Sequence, residues 1–220
     1  MLENAQIVYW IDSGTLLGVY RARELVPWDY NVDIGITMTG FDLIQSTTTT
    51  NKILEIPEGY EVTVLNSSLY DTGETSTAVP MKVIDRKFGF YANVFVFKEF
   101  DGLFHDHLRP ATASMEETNI DDVEDIVGNG VIVEKLIGPE PSNMWHRCIY
   151  CPVVGEEDGI NMSGEASNAT VVKRFHIPRE WVFPLRVCKV ELFEVMCPAQ
   201  ITPYLMYIFG NRFLTPQLWE

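Results

Sequence analysis

No uninterrupted apolar run in these 220 residues reaches the roughly 20 that a membrane-spanning helix needs, so no span is expected within the chain. Basic residues are scarce. Sixteen Lys and Arg stand against 31 Asp and Glu, a formal net charge of −15. Phosphate backbones bind basic faces, which argues against nucleic acid as the main partner. The acidity suits a divalent cation, and equally a solvated surface; residues 116–125 (EETNIDDVED) read as an exposed loop or helix start. Met1-Leu2-Glu3-Asn4 is neither basic nor apolar enough for a signal peptide. No internal repeat or linker interrupts the chain, so one domain over residues 1–220 is expected. With 46% apolar and 12% aromatic residues it has the material for a full core.

Cysteine is also sparse. Cys148 and Cys151 have zinc-knuckle spacing, but a second Cys-x-x-Cys is missing. A Zn²⁺ site would need two of His146, Cys188 and Cys197 as well, and is the lesser reading. Disulfides are the alternative in an oxidising lumen, buried thiols in a reducing cytosol. Sequons at Asn66, Asn161 and Asn168 tilt toward the secretory pathway.

Chemistry concentrates in residues 10–36, WIDSGTLLGVYRARELVPWDYNVDIGI. Asp12-Ser13-Gly14-Thr15 reads as a tight turn after an apolar run, and residues 16–23 as a short helix. Next comes a strand over residues 32–38. Strand side chains alternate, so Asn31 and Asp33 share one face, joined by Asp29 if extended geometry begins at Trp28. Glycine admits a phosphate close to the backbone, a helix N-terminus offers unpaired N–H groups, and carboxylates hold a divalent ion. Together they make a workable phosphate-plus-metal site.

Elsewhere, strands are expected at residues 6–11, 61–65, 81–84 and 90–97, with a turn at 86–89. A helix is expected over 40–54, weakened by the β-branched run at its end. Asn93 intrudes in the apolar strand FYANVFVF. On spacing alone it reads as an amide satisfied by backbone neighbours; otherwise it is a ligand facing Asn31 and Asp33. His105 and His107 lie in a polar turn and read as solvated rather than metal-binding. Residues 138–169 look irregular, with an exposed loop near 155–170. Residues 175–184 (FHIPREWVFP) read as core. Residues 203–209 fit a helix with Thr202 as N-cap, Pro203 at its first position, Gly210 past its end, and a buried stripe of Tyr204, Leu205, Ile208 and Phe209.

The stretch from Trp10 through Asp12, Gly14-Thr15-Leu16-Leu17-Gly18 and Arg21 to Val26-Pro27-Trp28-Asp29-Tyr30-Asn31-Val32-Asp33 resembles the LicD/fukutin family. Its form PWDYNVDIGI is most similar to the fukutin-related side of that family. FYANVFVF and the closing REWVFPL and YLMYIFGNRFLTP are also similar, while residues 101–170 match poorly. The resemblance implies an α/β (α+β) fold of nucleotidyltransferase type, a mixed β-sheet flanked by helices. It implies transfer of a phospho-alcohol, phosphocholine or ribitol phosphate, from a CDP-linked donor to a hydroxyl of a glycan or glycoprotein. Mg²⁺ or Mn²⁺ would be held by Asp33 with Asp29, Asn31 and Asn93. Gly14, Thr15 and Arg21 would hold phosphate, and Asp12 would orient the turn or take the acceptor's proton. Eukaryotic relatives work in the Golgi lumen. Two departures stand out: Asn31 and Asn93 occupy positions where the family has Asp, which leaves open a degenerate member that binds nucleotide or glycan, or supports a partner transferase. Asp85 is the alternative metal partner if the alignment at Asn93 is displaced.

Overall fold

The computed structural model describes residues 1–46, 54–64, 79–104, 133–140, 148–152 and 174–215. Its centre is strand β2 (Asn31–Thr37), whose sequence NVDIGIT alternates apolar and polar or small residues. On one side β2 pairs antiparallel with β1 (Tyr9–Ile11). On the other it pairs parallel with β5 (Tyr91–Leu103). The first half of β5 also pairs antiparallel with β4 (Met81–Asp85), and β4 with β3 (Tyr60–Val64). The second half of β5 pairs with β6 (Val133–Pro139), which carries the short β7 (Ile177–Pro178). The result is a mixed seven-stranded sheet of order β1-β2-β5-β4-β3, with β6 and β7 branching from β5. Helices α1 (Ser13–Ala22), α2 (Met38–Ser46), α3 (Arg179–Val182) and α4 (Ile201–Phe209) flank it, beside a hairpin of β8 (Arg186–Val190) and β9 (Phe193–Cys197). This is the mixed α/β architecture expected from the resemblance.

Each face of the sheet has its own core. Ile36, Val94, Val96 and Met81 pack with Phe41 and Ile44 of α2 on one. Trp10, Phe95, Phe97 and Leu136 pack with Leu16 of α1 and with Tyr204, Leu205 and Tyr207 of α4 on the other. Trp10 is fully buried and lies against Gly35, where any Cβ would overlap the indole. Trp181 and Phe175 join this second core, as their aromatic stretch suggested.

Several boundaries differ from expectation. β1 is shorter than residues 6–11: Gln6 takes a left-handed φ of 57°, and the N–H groups of Gln6 and Ile7 close a turn onto the Glu3 and Leu2 carbonyls, both at 2.9 Å. α1 starts at Ser13, not Leu16, because the Asp12 side chain caps it; Gly14 and Thr15 are therefore in the first helical turn rather than in a separate loop. α2 starts at Met38, and residues 47–53 lie outside the described residues. β5 runs on past Phe97 because its polar Lys98 and Glu99 still pair with β6, whose last residues, Gly138 and Pro139, were expected to be irregular. α4 starts at Ile201, with Gln200 as a cap whose side chain donates to the Glu180 carbonyl and makes no capping bond to the helix. Thr202 is not the N-cap; its hydroxyl is 2.8 Å from that of Tyr20. Tyr207 takes the buried place expected for Phe209, which is half-buried. The β8–β9 hairpin was not expected. His105, His107, His146, the three sequons, the acidic run 116–125 and the loop 155–170 all lie outside the described residues.

Candidate active site

The site forms where the first turn of α1 meets the start of β2. Asp12, completely buried, accepts the Ser13 N–H at 2.6 Å through Oδ1, and the Tyr204 hydroxyl donates to the same oxygen at 2.6 Å. The backbone N–H of Asp12 donates to the Asp33 carbonyl at 2.9 Å, and the Asp33 N–H donates to Thr15 Oγ1 at 2.8 Å. Both peptide groups of Asp33 are thus tied to the helix start, which fixes where its carboxylate lies.

That carboxylate lies beside Gly14. A Cβ on Gly14 would stand 3.4 Å from Asp29 Oδ2 and 3.8 Å from Asp33 Oδ2, so the two carboxylates converge on the space the missing side chain leaves. The Gly14 N–H points toward the Asp33 carboxylate. Asp29 does not reach this place as part of the strand, which begins only at Asn31. A turn closed by its N–H to the Val26 carbonyl, at 3.0 Å, carries it there.

The other oxygen of Asp33 is held by amides. Asn31 Nδ2 donates to Asp33 Oδ1 at 2.9 Å, and Asn93 Nδ2 donates to it at 3.0 Å. Asn93 stands directly across from Asp33 in the β2–β5 register, so its side chain shares that face. Its amide therefore faces Asp33 rather than its own backbone neighbours. Asn93 Oδ1 is buried and has no hydrogen-bond partner among the described residues.

Burial pushes the Asp33 carboxyl above the usual carboxylate range; the Asn93 amide opposes this and the charge of Asp29 adds to it. Asp12 rises further, to about 7, again chiefly through burial, despite the hydrogen bonds from Tyr204 and Ser13. The Tyr204 hydroxyl is itself raised well above its ordinary value, by burial first and the nearby Asp12 charge second.

Arg21 is not brought to this cluster. Its guanidinium donates from both Nε and Nη2 to the carbonyl of Phe213, eight residues or about 12 Å along α1 from Ser13. Asp85 is occupied by a turn, where its Oδ1 accepts the N–H groups of Lys87 and Phe88 at 2.8 and 3.2 Å. Asp12 has no exposed surface with which to meet an acceptor. Two residues went unnoticed in the sequence reading of the site. Tyr204 looked like one more core aromatic of α4. Lys82 pairs in register with Asn93, on the same face as Asp33, with its Nζ 5.5 Å from the Tyr91 ring centre. A lysine alternating with valine and methionine gives no sign in sequence of which strand it will sit beside.

Among the described residues, no three His, Cys, Asp or Glu side chains converge as a ready-made metal cluster. The oxygen donors at this site are two carboxylates and two amides. The cysteines pair as Cys148–Cys151 and Cys188–Cys197, so neither pair stands as thiolates for zinc.

The profile of the LicD/FKTN/FKRP nucleotidyltransferase domain matches residues 6–119, more than half of the chain and all of the site just described except Tyr204. The chain belongs to the LicD/FKTN/FKRP family. Ribitol 5-phosphate transferase FKRP of Mus musculus and of Homo sapiens is 50% identical to it over 36 residues, 16% of this chain and 7% of that protein. An uncharacterized protein of Rickettsia prowazekii (strain Madrid E) is 50% identical over 36 residues, 14% of its own length. The chain thus matches only a small part of each of these relatives. The family match covers β1 to β5 with α1 and α2, and leaves out β6 and β7. The α4 side, which supplies Tyr204 to Asp12, lies beyond the matched residues.

Proposed function

We propose that this LicD-family chain transfers a phospho-alcohol, of the phosphocholine or ribitol-phosphate kind, from a CDP-linked donor to a glycan hydroxyl. The observation that carries this reading is the convergence of Asp29 and Asp33 on Gly14 at the N-terminus of α1. Mg²⁺ is usually held by one or two carboxylates together with substrate phosphates, and this pair fits that need. The orphaned Asn93 Oδ1 fits too, since rotation about χ2 exchanges the two ends of the amide. Asp33 and Asp29 are the ligands proposed for Mg²⁺ or Mn²⁺, with Asn31 and Asn93 assisting through their amide oxygens. When bound, the ion supplies charge neutralisation on the donor's phosphates.

The chain's own groups do the rest. Gly14 leaves room for phosphate, and the positive N-terminal end of the α1 dipole favours its charge. Lys82 adds a cation on the same face. Thr15 and Asp12 hold Asp33 in position. The acceptor oxygen bonds to phosphorus as the bond to cytidine monophosphate breaks, and the hydroxyl proton leaves to solvent. A luminal, secretory-pathway setting such as the Golgi is part of the proposal; the two disulfides support it, because such bonds persist in oxidising compartments.

A second reading is favoured by one observation: both amides that replace family carboxylates donate to Asp33, satisfying it without an ion. On that reading the chain binds nucleotide or glycan, or supports a partner transferase, without turnover. Calorimetry with Mn²⁺ and CDP-ribitol or CDP-choline tests the first reading. Metal-dependent binding that Asp33→Ala abolishes supports it, and absence of binding overturns it. Binding without turnover, with activity gained by Asn31→Asp plus Asn93→Asp, selects the second.

A further inference from the structure

At the same end of the sheet as Asp33, floored on the side away from it but lined also by Asn31 and Tyr91 of the Asp33 face, lies a groove of ≈ 390 Å³. That is within the size range of small-molecule sites, roughly 300–1,000 Å³. Its floor is the cross-strand row Val32, Ala92 and Val83, one residue along from the row Asp33, Asn93 and Lys82, so the two rows face opposite ways. Its walls include three aromatic rings from three separate segments, Tyr30, Tyr60 and Phe90. These are 68%, 45% and 55% exposed, and together they present apolar ring surface to the groove.

The charged groups lining the groove are Asp29 and Asp85; no lysine or arginine is among its lining residues. Carboxylates accept hydrogen bonds and repel anions. Lys82 is on the opposite face with Asp33, while Arg86, in the β4–β5 turn, pairs with Glu61 at 3.6 Å and Lys87 lies over the Phe88 ring. Charge therefore divides the two faces: the Asp33 face suits a phosphate-bearing donor, and the groove suits a neutral ligand with hydroxyl donors and an apolar C–H face that can lie on an aromatic ring. A hexopyranose has both. Asp29 belongs to both places, lining the groove while its Oδ2 stands by Gly14, so a ligand here reaches the reacting centre without crossing the sheet.

We propose that the groove walled by Tyr30, Tyr60 and Phe90 binds a neutral pyranose unit of the acceptor and presents its hydroxyl at Asp29. This rests on the transferase reading for the word acceptor, but not for the binding itself. The test is saturation-transfer NMR on the whole chain with a panel of methyl hexopyranosides (gluco, galacto, manno and their N-acetyl forms), with cytidine as competitor. Transfer to ring C–H protons of at least one pyranoside is expected. It should fall at least five-fold in Phe90→Ala and in Tyr60→Ala, persist in Asp33→Ala, and resist cytidine. Both ring variants alter half-exposed side chains, and an unchanged thermal midpoint verifies their fold. No transfer from any pyranoside, transfer unchanged in both ring variants, or displacement by cytidine overturns the proposal. Loss of Mn²⁺-dependent nucleotide binding in Asp33→Ala is read separately, so failure of the donor site and failure of the groove are told apart.

Discussion

Asn93 on β5 donates its side-chain amide to Asp33 Oδ1 on β2 at 3.0 Å, across a directly paired register position. An aspartate at 93 would turn that donor into a second anion facing the first. In EDTA, Asn93→Asp is therefore expected to destabilise the fold by about 1–3 kcal/mol, the cost of a partly buried carboxylate losing its donor. For a chain of this size that is a fall of roughly 2–12 °C in thermal midpoint. Mn²⁺ should recover more of that loss in the variant than it adds to the parent, because ligand binding to the folded state alone stabilises it. Melting curves with and without metal check this; equal metal effects in both proteins would count against a cation beside Asp33.

The buried Asp12 gives a pH signature. Its folded pKa of about 7 exceeds the unfolded value of 3.8, so the native state holds the proton more tightly between those values. Stability from this group is full below about pH 4 and is lost as pH rises to about 7, beyond which the effect is flat. The difference between the two values corresponds to a few kcal/mol. Asp12→Asn keeps a capping oxygen but cannot ionise. Urea unfolding from pH 4.5 to 8 should show the parent losing stability relative to Asp12→Asn as pH rises. Parallel curves for the two proteins would show that Asp12 does not titrate in the fold.

Tyr204 bears on the same group from the far end of the chain. Removing its hydroxyl in Tyr204→Phe takes a 2.6 Å donor from a carboxyl with no exposure. The expected loss is about 1–3 kcal/mol. It should be larger at pH 8 than at pH 5, because the ionised carboxylate needs the donor more. A loss independent of pH would mark the change as one of packing alone.

How much of this was legible in the sequence depends on range. Alternation in NVDIGIT and EVTV reports a local property, and those strands lie within a residue or two of where they were expected. The Asp12–Thr15 corner and the Asn31/Asp33 face were also local and readable, apart from the capping that draws Gly14 into the helix. What escaped depends on partners distant in the chain. Lys98 and Glu99 break the apolar pattern of β5, yet the strand continues because β6 supplies hydrogen bonds. Arg21, 192 residues from Phe213, is captured by a backbone carbonyl rather than by the site. Asn93 could be judged a partner of Asp33 only once the β2–β5 register was known, since a one-residue slip would have turned it to the other face.

Gly14 separates function from stability more cleanly than any other position. It is in the first turn of α1, where alanine is the better helix former by about 1 kcal/mol in a helix interior and somewhat less near an end. The added methyl would make ordinary van der Waals contact at 3.4 Å and 3.8 Å with the oxygens of Asp29 and Asp33, so no backbone must move. Gly14→Ala is thus expected to melt at or slightly above the parent temperature. Yet the methyl would fill the space on which both carboxylates converge, the space proposed for the ion and the donor phosphate. Mn²⁺-dependent binding of CDP-ribitol or CDP-choline should weaken at least ten-fold, measured by calorimetry on the same sample whose melting curve is unimpaired. A variant that binds as the parent does would remove the Asp29–Asp33 gap from the donor site, while one that fails to fold would show that glycine is needed there for the backbone and not for the ligand.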